Sequence, residues 1–129
     1  MKPNELRVNN WYNSTKFQTP VICEFADFAE LSARADGAKV DEDLIDDMFE
    51  PIPLTEEWLL KFGFEKRKKL LGLLVFSKSG FDLHFVNGKW EFYVMGSSCI
   101  LTEIEYVHQL QSIYFALKGE ALEKELNLK

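Results

Sequence analysis

Asn87 and Gly88 constrain this chain more than any other pair of residues. An Asn-Gly pair readily takes the positive backbone φ of a type I′ turn, and that turn matches the twist of two antiparallel strands. The flanks alternate on both sides, as Phe81-Asp82-Leu83-His84-Phe85-Val86 and Lys89-Trp90-Glu91-Phe92-Tyr93-Val94. A two-residue loop then sets Val86 opposite Lys89, Phe85 opposite Trp90, Leu83 opposite Phe92 and Phe81 opposite Val94. One face of this ribbon is apolar, while His84 with Glu91 and Asp82 with Tyr93 occupy the other, which is expected to be solvated. Side chains alternate with a period of two, so a one-residue slip would send three aromatic rings into water.

The apolar face needs a cover, and two short helices are placed to supply it. Thr55 caps the first, Glu56 and Glu57 set negative charge against its positive end, and Trp58, Leu59 and Phe62 form its apolar face. Gly63 ends it with a left-handed residue, which brings Phe64 against Leu59 in a Schellman ending. The second helix runs from Tyr106 to Leu117, with Val107, Leu110, Tyr114 and Leu117 on one stripe, and Gly119 stops it. An earlier start at the Thr102/Glu105 capping box competes with a strand from Cys99 to Ile104, which the alternation of Ile100, Thr102 and Ile104 favours. Leu70 to Ser77 reads as a buried strand.

Upstream the pattern is weaker. Trp11 to Phe25 fits two short strands about a turn at Asn13-Ser14-Thr15, with the second strand after Pro20 or at a sheet edge, since proline lacks the amide hydrogen of a central ladder. Residues 26–34 suit helix and strand equally, and the structure of 26–47 is left open. Pro51 and Pro53 favour an extended run from Met48 to Leu54. The expected fold class is α+β, a mainly antiparallel sheet with the two helices packed on one face and an N-terminal β segment beside it. Its 129 residues suit a single domain, with a division between 1–54 and 55–129 as the alternative.

Charge narrows the range of partners. Six acids, Asp41, Glu42, Asp43, Asp46, Asp47 and Glu50, lie in one decade without a base, and the other fifteen acids balance the fifteen bases, so the decade carries the whole net charge of −6. Phosphate binding requires clustered Lys and Arg, and a chain with a pI near 5 lacks that footprint. The acids do not follow the alternate spacing of a calcium loop, and a solvated loop or helix start is expected there, with an acidic docking surface that mimics phosphates as the alternative. The basic run Lys66-Arg67-Lys68-Lys69 is expected to be a solvated edge, with nucleic-acid contact as the alternative. Cys23 and Cys99 are too few and too far apart for a disulfide framework or a zinc site, and both are expected to be reduced and buried. No apolar signal region follows Met1, and no apolar run approaches the roughly 20 residues that span a bilayer, so a cytoplasmic location without a membrane partner is expected.

Few residues invite chemistry. His84 and Glu91 are cross-strand neighbours without a nucleophile beside them, and His108 lies one helical turn from Ser112 and near Gln111 without an activating arrangement. A helix surface or an interdomain contact is expected for His108. Phosphate loop, dinucleotide fingerprint and nucleophile elbow are all missing, so neither catalytic residue, metal nor cofactor is assigned. The eighteen aromatics exceed what a core needs, and Trp11, Tyr12, Tyr93 and Phe115 are the candidates for an interaction surface, together with Lys66 to Lys69.

Residues Glu50-Pro51-Ile52-Pro53-Leu54-Thr55-Glu56-Glu57-Trp58-Leu59-Leu60-Lys61-Phe62-Gly63-Phe64, the segment from Tyr106 to Glu120, and the opening Asn4 to Asn10 resemble an uncharacterised family of small proteins from gut-type bacterial genomes, often in prophage or mobile-element surroundings. The resemblance covers about a third of the chain and implies a small barrel-like β segment near the N-terminus. It carries no assigned activity. The expectation is therefore a non-enzymatic accessory or interaction protein with a protein partner; a nucleic-acid-associated factor comes second and a small hydrolase last.

Overall fold

A computed structural model describes residues 1–68, 74–94 and 100–123, with the Lys68 side chain left aside. Cys99, Lys69 and the start of the apolar run at Leu70 lie outside the described residues. The chain is α+β, with four α-helices and two antiparallel sheets among the described residues. It divides into two compact units, the first comprising Met1–Ile52 and Tyr106–Ile113, the second Pro53–Glu105 and Tyr114–Lys129.

In unit 1, β1 (Trp11–Ser14) lies between β2 (Pro20–Ile22) and β3 (Phe49–Glu50). This sheet is open, and no closed sheet occurs among the described residues, so the barrel-like expectation is corrected. Pro20 opens an edge strand, where its missing N–H does least harm. The turn falls at Thr15–Gln18 instead of Asn13-Ser14-Thr15. Ser14 is a buried strand residue whose Oγ accepts the Phe17 N–H at 3.2 Å, and Gln18 takes the left-handed conformation at φ 55°. The segment left open by its pattern forms α1 (Phe25–Ala35), and the acidic decade forms α2 (Glu42–Met48). Asp41 caps α2 by accepting the Leu44 N–H at 3.0 Å, and Glu42 and Asp43 sit in its first turn, where the dipole favours anions. Leu6, Tyr12, Cys23, Leu31, Ile45 and Phe49 form the core of this unit.

Unit 2 is a meander of five strands in sequence order: β4 (Glu65–Lys68), β5 (Leu74–Lys78), β6 (Phe81–Val86), β7 (Lys89–Val94) and β8 (Thr102–Ile104). The β6/β7 register is the one that Asn87-Gly88 requires, with Phe85 opposite Trp90, Leu83 opposite Phe92 and His84 opposite Glu91. Both turn residues have positive φ, 52° and 78°. Helix α3 (Glu56–Lys61) is capped by Thr55, and Gly63 at φ 85° lets the Phe64 N–H reach the Leu59 carbonyl and its own N–H the Leu60 carbonyl, each at 3.0 Å. That is the Schellman pattern. Trp90 Nε1 donates to the Leu54 carbonyl at 3.0 Å, just ahead of α3, and Tyr114 of α4 (Val107–Lys118) meets Phe81 edge-on, so the approach to α3 and the C-terminal part of α4 reach the sheet face that carries Phe81 and Trp90.

Two expectations about that ribbon need correction. Phe85, near the turn, remains 40% exposed, and Val94, at the open end, is exposed too, so the apolar face is covered only through Phe81, Leu83, Trp90 and Phe92. The opposite face is not solvated throughout: Asp82 and Ser77 are buried and share a hydrogen bond of 2.6 Å, and His84 is half-buried.

Candidate functional site

The first candidate is the polar cluster at His108 in unit 1. The helical stripe that buries Val107 and Leu110 also buries His108 at 2% exposure, contrary to the expected surface position. Its ring stacks on Tyr106 at 5.7 Å and lies 5.1 Å from Tyr12. His108 Nε2 lies 3.1 Å from Glu5 Oε1, so the hydrogen-bond network assigns the imidazole proton to Nε2; Nδ1 is buried with no hydrogen-bond partner among the described residues. Burial lowers the His108 pKa, against the opposing pull of Glu5. For Glu5, burial favours a raised pKa, but the Lys2 N–H and His108 outweigh it and the value is lowered. The pair is thus a neutral imidazole donating to a carboxylate.

The surrounding groups tie backbone in place. Tyr12 Oη donates to the Glu5 carbonyl at 2.6 Å and accepts the Arg7 N–H at 3.0 Å. Gln111 Oε1 accepts the Trp11 N–H at 2.8 Å, and Asn10 Nδ2 donates to the Ser112 hydroxyl at 3.1 Å. Ser112, the hydroxyl one turn from His108, is therefore engaged by an amide instead of a base. With its imidazole buried, this cluster holds the N-terminal segment to the first half of α4. Tyr12 is a fully buried core residue with nothing to offer an exposed interaction surface, and burial pushes its phenol up to about 12. Cys23 is likewise a free, buried thiol pushed up to about 12 by burial, which makes it a poor nucleophile.

The other candidates from the sequence lie in unit 2. The Tyr93 ring lies 4.3 Å from that of His84, tilted by 30°, and its hydroxyl donates to Glu91 at 2.8 Å. Lys66 pairs with Glu56 at 2.7 Å, and Arg67 lies 3.8 Å from Glu65. These cations sit on β4, an edge strand of the meander, and Lys68 belongs to the same strand. Phe115 is 58% exposed. Among the described residues, no group of three or more His, Cys, Asp or Glu side chains is placed to hold a metal ion, and no helix is long and apolar enough to cross a membrane.

An open groove of about 710 Å³ in unit 1 was not legible in the sequence. Trp11, Val21, Met48 and Phe49 contribute apolar surface to it, and Glu24, Asp27, Glu30 and Asp47 contribute carboxylates, with Lys16 and Arg34 as the cations. Arg34 is 3.6 Å from Glu30, and the Lys16 ammonium lies over the Phe17 ring. Phe17 and Ile22 also line the groove and are exposed, Phe17 at 68%. Next to Glu24, Phe25 is 81% exposed. Of the aromatics singled out from the sequence, Trp11 is the one this groove uses.

No family model, curated protein sequence or solved structure matches the chain.

Proposed function

We propose that this chain is a non-enzymatic interaction protein that engages a protein partner through the groove of unit 1. The observation that carries this reading is the pair of large apolar side chains left in water in one groove wall, Phe17 and Ile22, together with the apolar surface of Trp11 and Val21 beside them. Contiguous exposed apolar surface rimmed by polar groups is characteristic of docking sites, whereas scattered single residues are ordinary. The histidine chemistry that would support a hydrolase is weak, because His108 is buried in a structural cluster. The nucleic-acid reading draws less support, since Lys66 and Arg67 each lie beside a carboxylate. An origin among mobile-element proteins belongs to the same proposal and rests on the motif resemblance alone.

The test is a photo-cross-linking amino acid placed at position 17 in cells, with position 115 as the comparison. A discrete protein adduct from position 17 and none from position 115 is expected. Turnover of a substrate that disappears with His84→Ala or His108→Gln while the fold persists would overturn the reading.

A further inference from the structure

We propose that the occupant of the unit 1 groove is a cationic, amphipathic helix presented by a protein partner. The inference rests on the groove being the docking surface, and it goes further by specifying the ligand's charge and secondary structure.

Charge comes first. Residues 1–52 hold eleven acids and five bases, and 106–113 hold neither, so unit 1 carries the full −6; the other residues hold ten of each. Within the groove, Glu24, Glu30 and Asp47 are exposed carboxylates around apolar surface. An acidic field of this kind attracts a basic segment and repels nucleic acid, anionic lipid and a second copy of unit 1. A second acidic partner would meet like charge in a partly desolvated rim, which costs affinity.

The ligand's conformation follows from the sheet edge. An extended peptide binds by adding a strand, and for that it needs a row of unpaired N–H and C=O groups. Strand β2, the longer of the two edges, offers a broken row that is short of donors. The Ser14 N–H reaches the Thr19 carbonyl, and Cys23 exchanges bonds with Asn9 and Asn10, so Thr19, Val21 and Cys23 direct their backbone groups toward β1. Pro20, Ile22 and Glu24 are left to face outward by alternation. Pro20 has no N–H, and the Glu24 N–H is already held by Asp27 Oδ2 at 2.8 Å. One donor, that of Ile22, remains from the three. A ligand must therefore bind through side chains, which a helix with apolar residues at i, i+3, i+4 and i+7 delivers to Trp11, Phe17 and Ile22 while its Lys or Arg residues meet the rim.

Three synthetic peptides test this: a Lys/Leu peptide with helical apolar spacing, the same peptide with Glu for Lys, and a Lys/Val peptide with strict alternation. Trp11 reports binding by its fluorescence, because Trp58 and Trp90 are buried in unit 2. The Lys/Leu peptide is expected to bind best and to weaken as salt is added. Phe17→Ser should lower its affinity about tenfold, Glu24→Gln with Asp47→Asn should flatten the salt dependence, and Phe115→Ser should change nothing. Equal or tighter binding of the Lys/Val peptide overturns the helical ligand, and equal binding of the Glu/Leu peptide overturns the charge argument. In either case, continued sensitivity to Phe17→Ser leaves the groove reading standing. Equal loss with Phe115→Ser means non-specific attraction and overturns the inference. Failure of all three peptides also overturns it, and if the cross-link from position 17 is missing as well, the groove reading falls with it.

Discussion

Unit 2 is built from neighbours in sequence and unit 1 from residues far apart. Each strand of the meander pairs with the next along the chain, and one hairpin sets six cross-strand pairs, from Phe81 with Val94 to Val86 with Lys89. In unit 1 several ties are side chains reaching distant backbone, Gln111 to the Trp11 N–H and Thr15 Oγ1 to the Asp46 carbonyl at 2.7 Å, while Tyr12 pins the nearer backbone of Arg7 and Glu5. Local pairing announces itself as periodicity. Long-range side-chain contacts leave no period; in unit 1 they supplement a small core of Leu6, Tyr12, Cys23, Leu31, Ile45 and Phe49, whereas unit 2 is dominated by packed rings.

Substitutions can break that contrast. The largest effect is expected from Phe92→Ala in unit 2, where a fully buried ring stacked on Phe81 is lost at a cost of about 3–5 kcal/mol in urea unfolding; Phe85→Ala, half in water, should cost a fraction of that. In unit 1, Tyr12→Phe removes one oxygen and strands the Arg7 N–H and Glu5 carbonyl, for about 1–3 kcal/mol, and a near-neutral result would show that polar ties do not hold this unit. Gly63→Ala forces a side chain into the left-handed region and should cost about 1–2 kcal/mol without moving the unit 1 reporters.

The pH response sharpens the comparison further. His108 has a lowered folded pKa, so the unfolded chain takes up its proton first, and stability falls as pH drops below the ordinary value of 6.5. Glu5, also lowered, acts in the same direction below its ordinary 4.5. His108→Gln should flatten the first of these losses, measured as the urea midpoint against pH. The smallest signal is chemical: in a Cys99→Ser background, Cys23 should resist thiol reagents at pH 8 until the chain unfolds.

The hairpin, the α3 cap and its Schellman ending, and the extent of α4 were all legible, because each depends on residues within a few positions of one another. Strand β4 was harder to see. Glu65-Lys66-Arg67-Lys68 has no apolar alternation, yet an edge strand can be all charge because it pairs on one side only. The candidate site was least legible of all. Its surface joins Trp11, Val21, Asp27 and Met48, residues that no local pattern connects, and the sequence candidates Tyr12, Tyr93 and Lys66 proved to be occupied by internal partners. The acidic decade read equally as a solvated loop or a helix start, of which the structure shows the helix, and its meaning as the charge of one unit emerged only with the division of the chain.

The chain leaves unit 1 after Ile52 and rejoins it at Tyr106, and there the Val107 N–H meets the Ile52 carbonyl at 2.8 Å; just inside the excursion the Leu54 N–H meets the Glu105 carbonyl at 3.0 Å. The two ends of the 53–105 excursion are thus clasped by main-chain bonds, and the chain passes into unit 2 again after Ile113. A change of length within that clasped loop would leave the pairing of β1 with β2 and β3, beside which the groove lies, as it is.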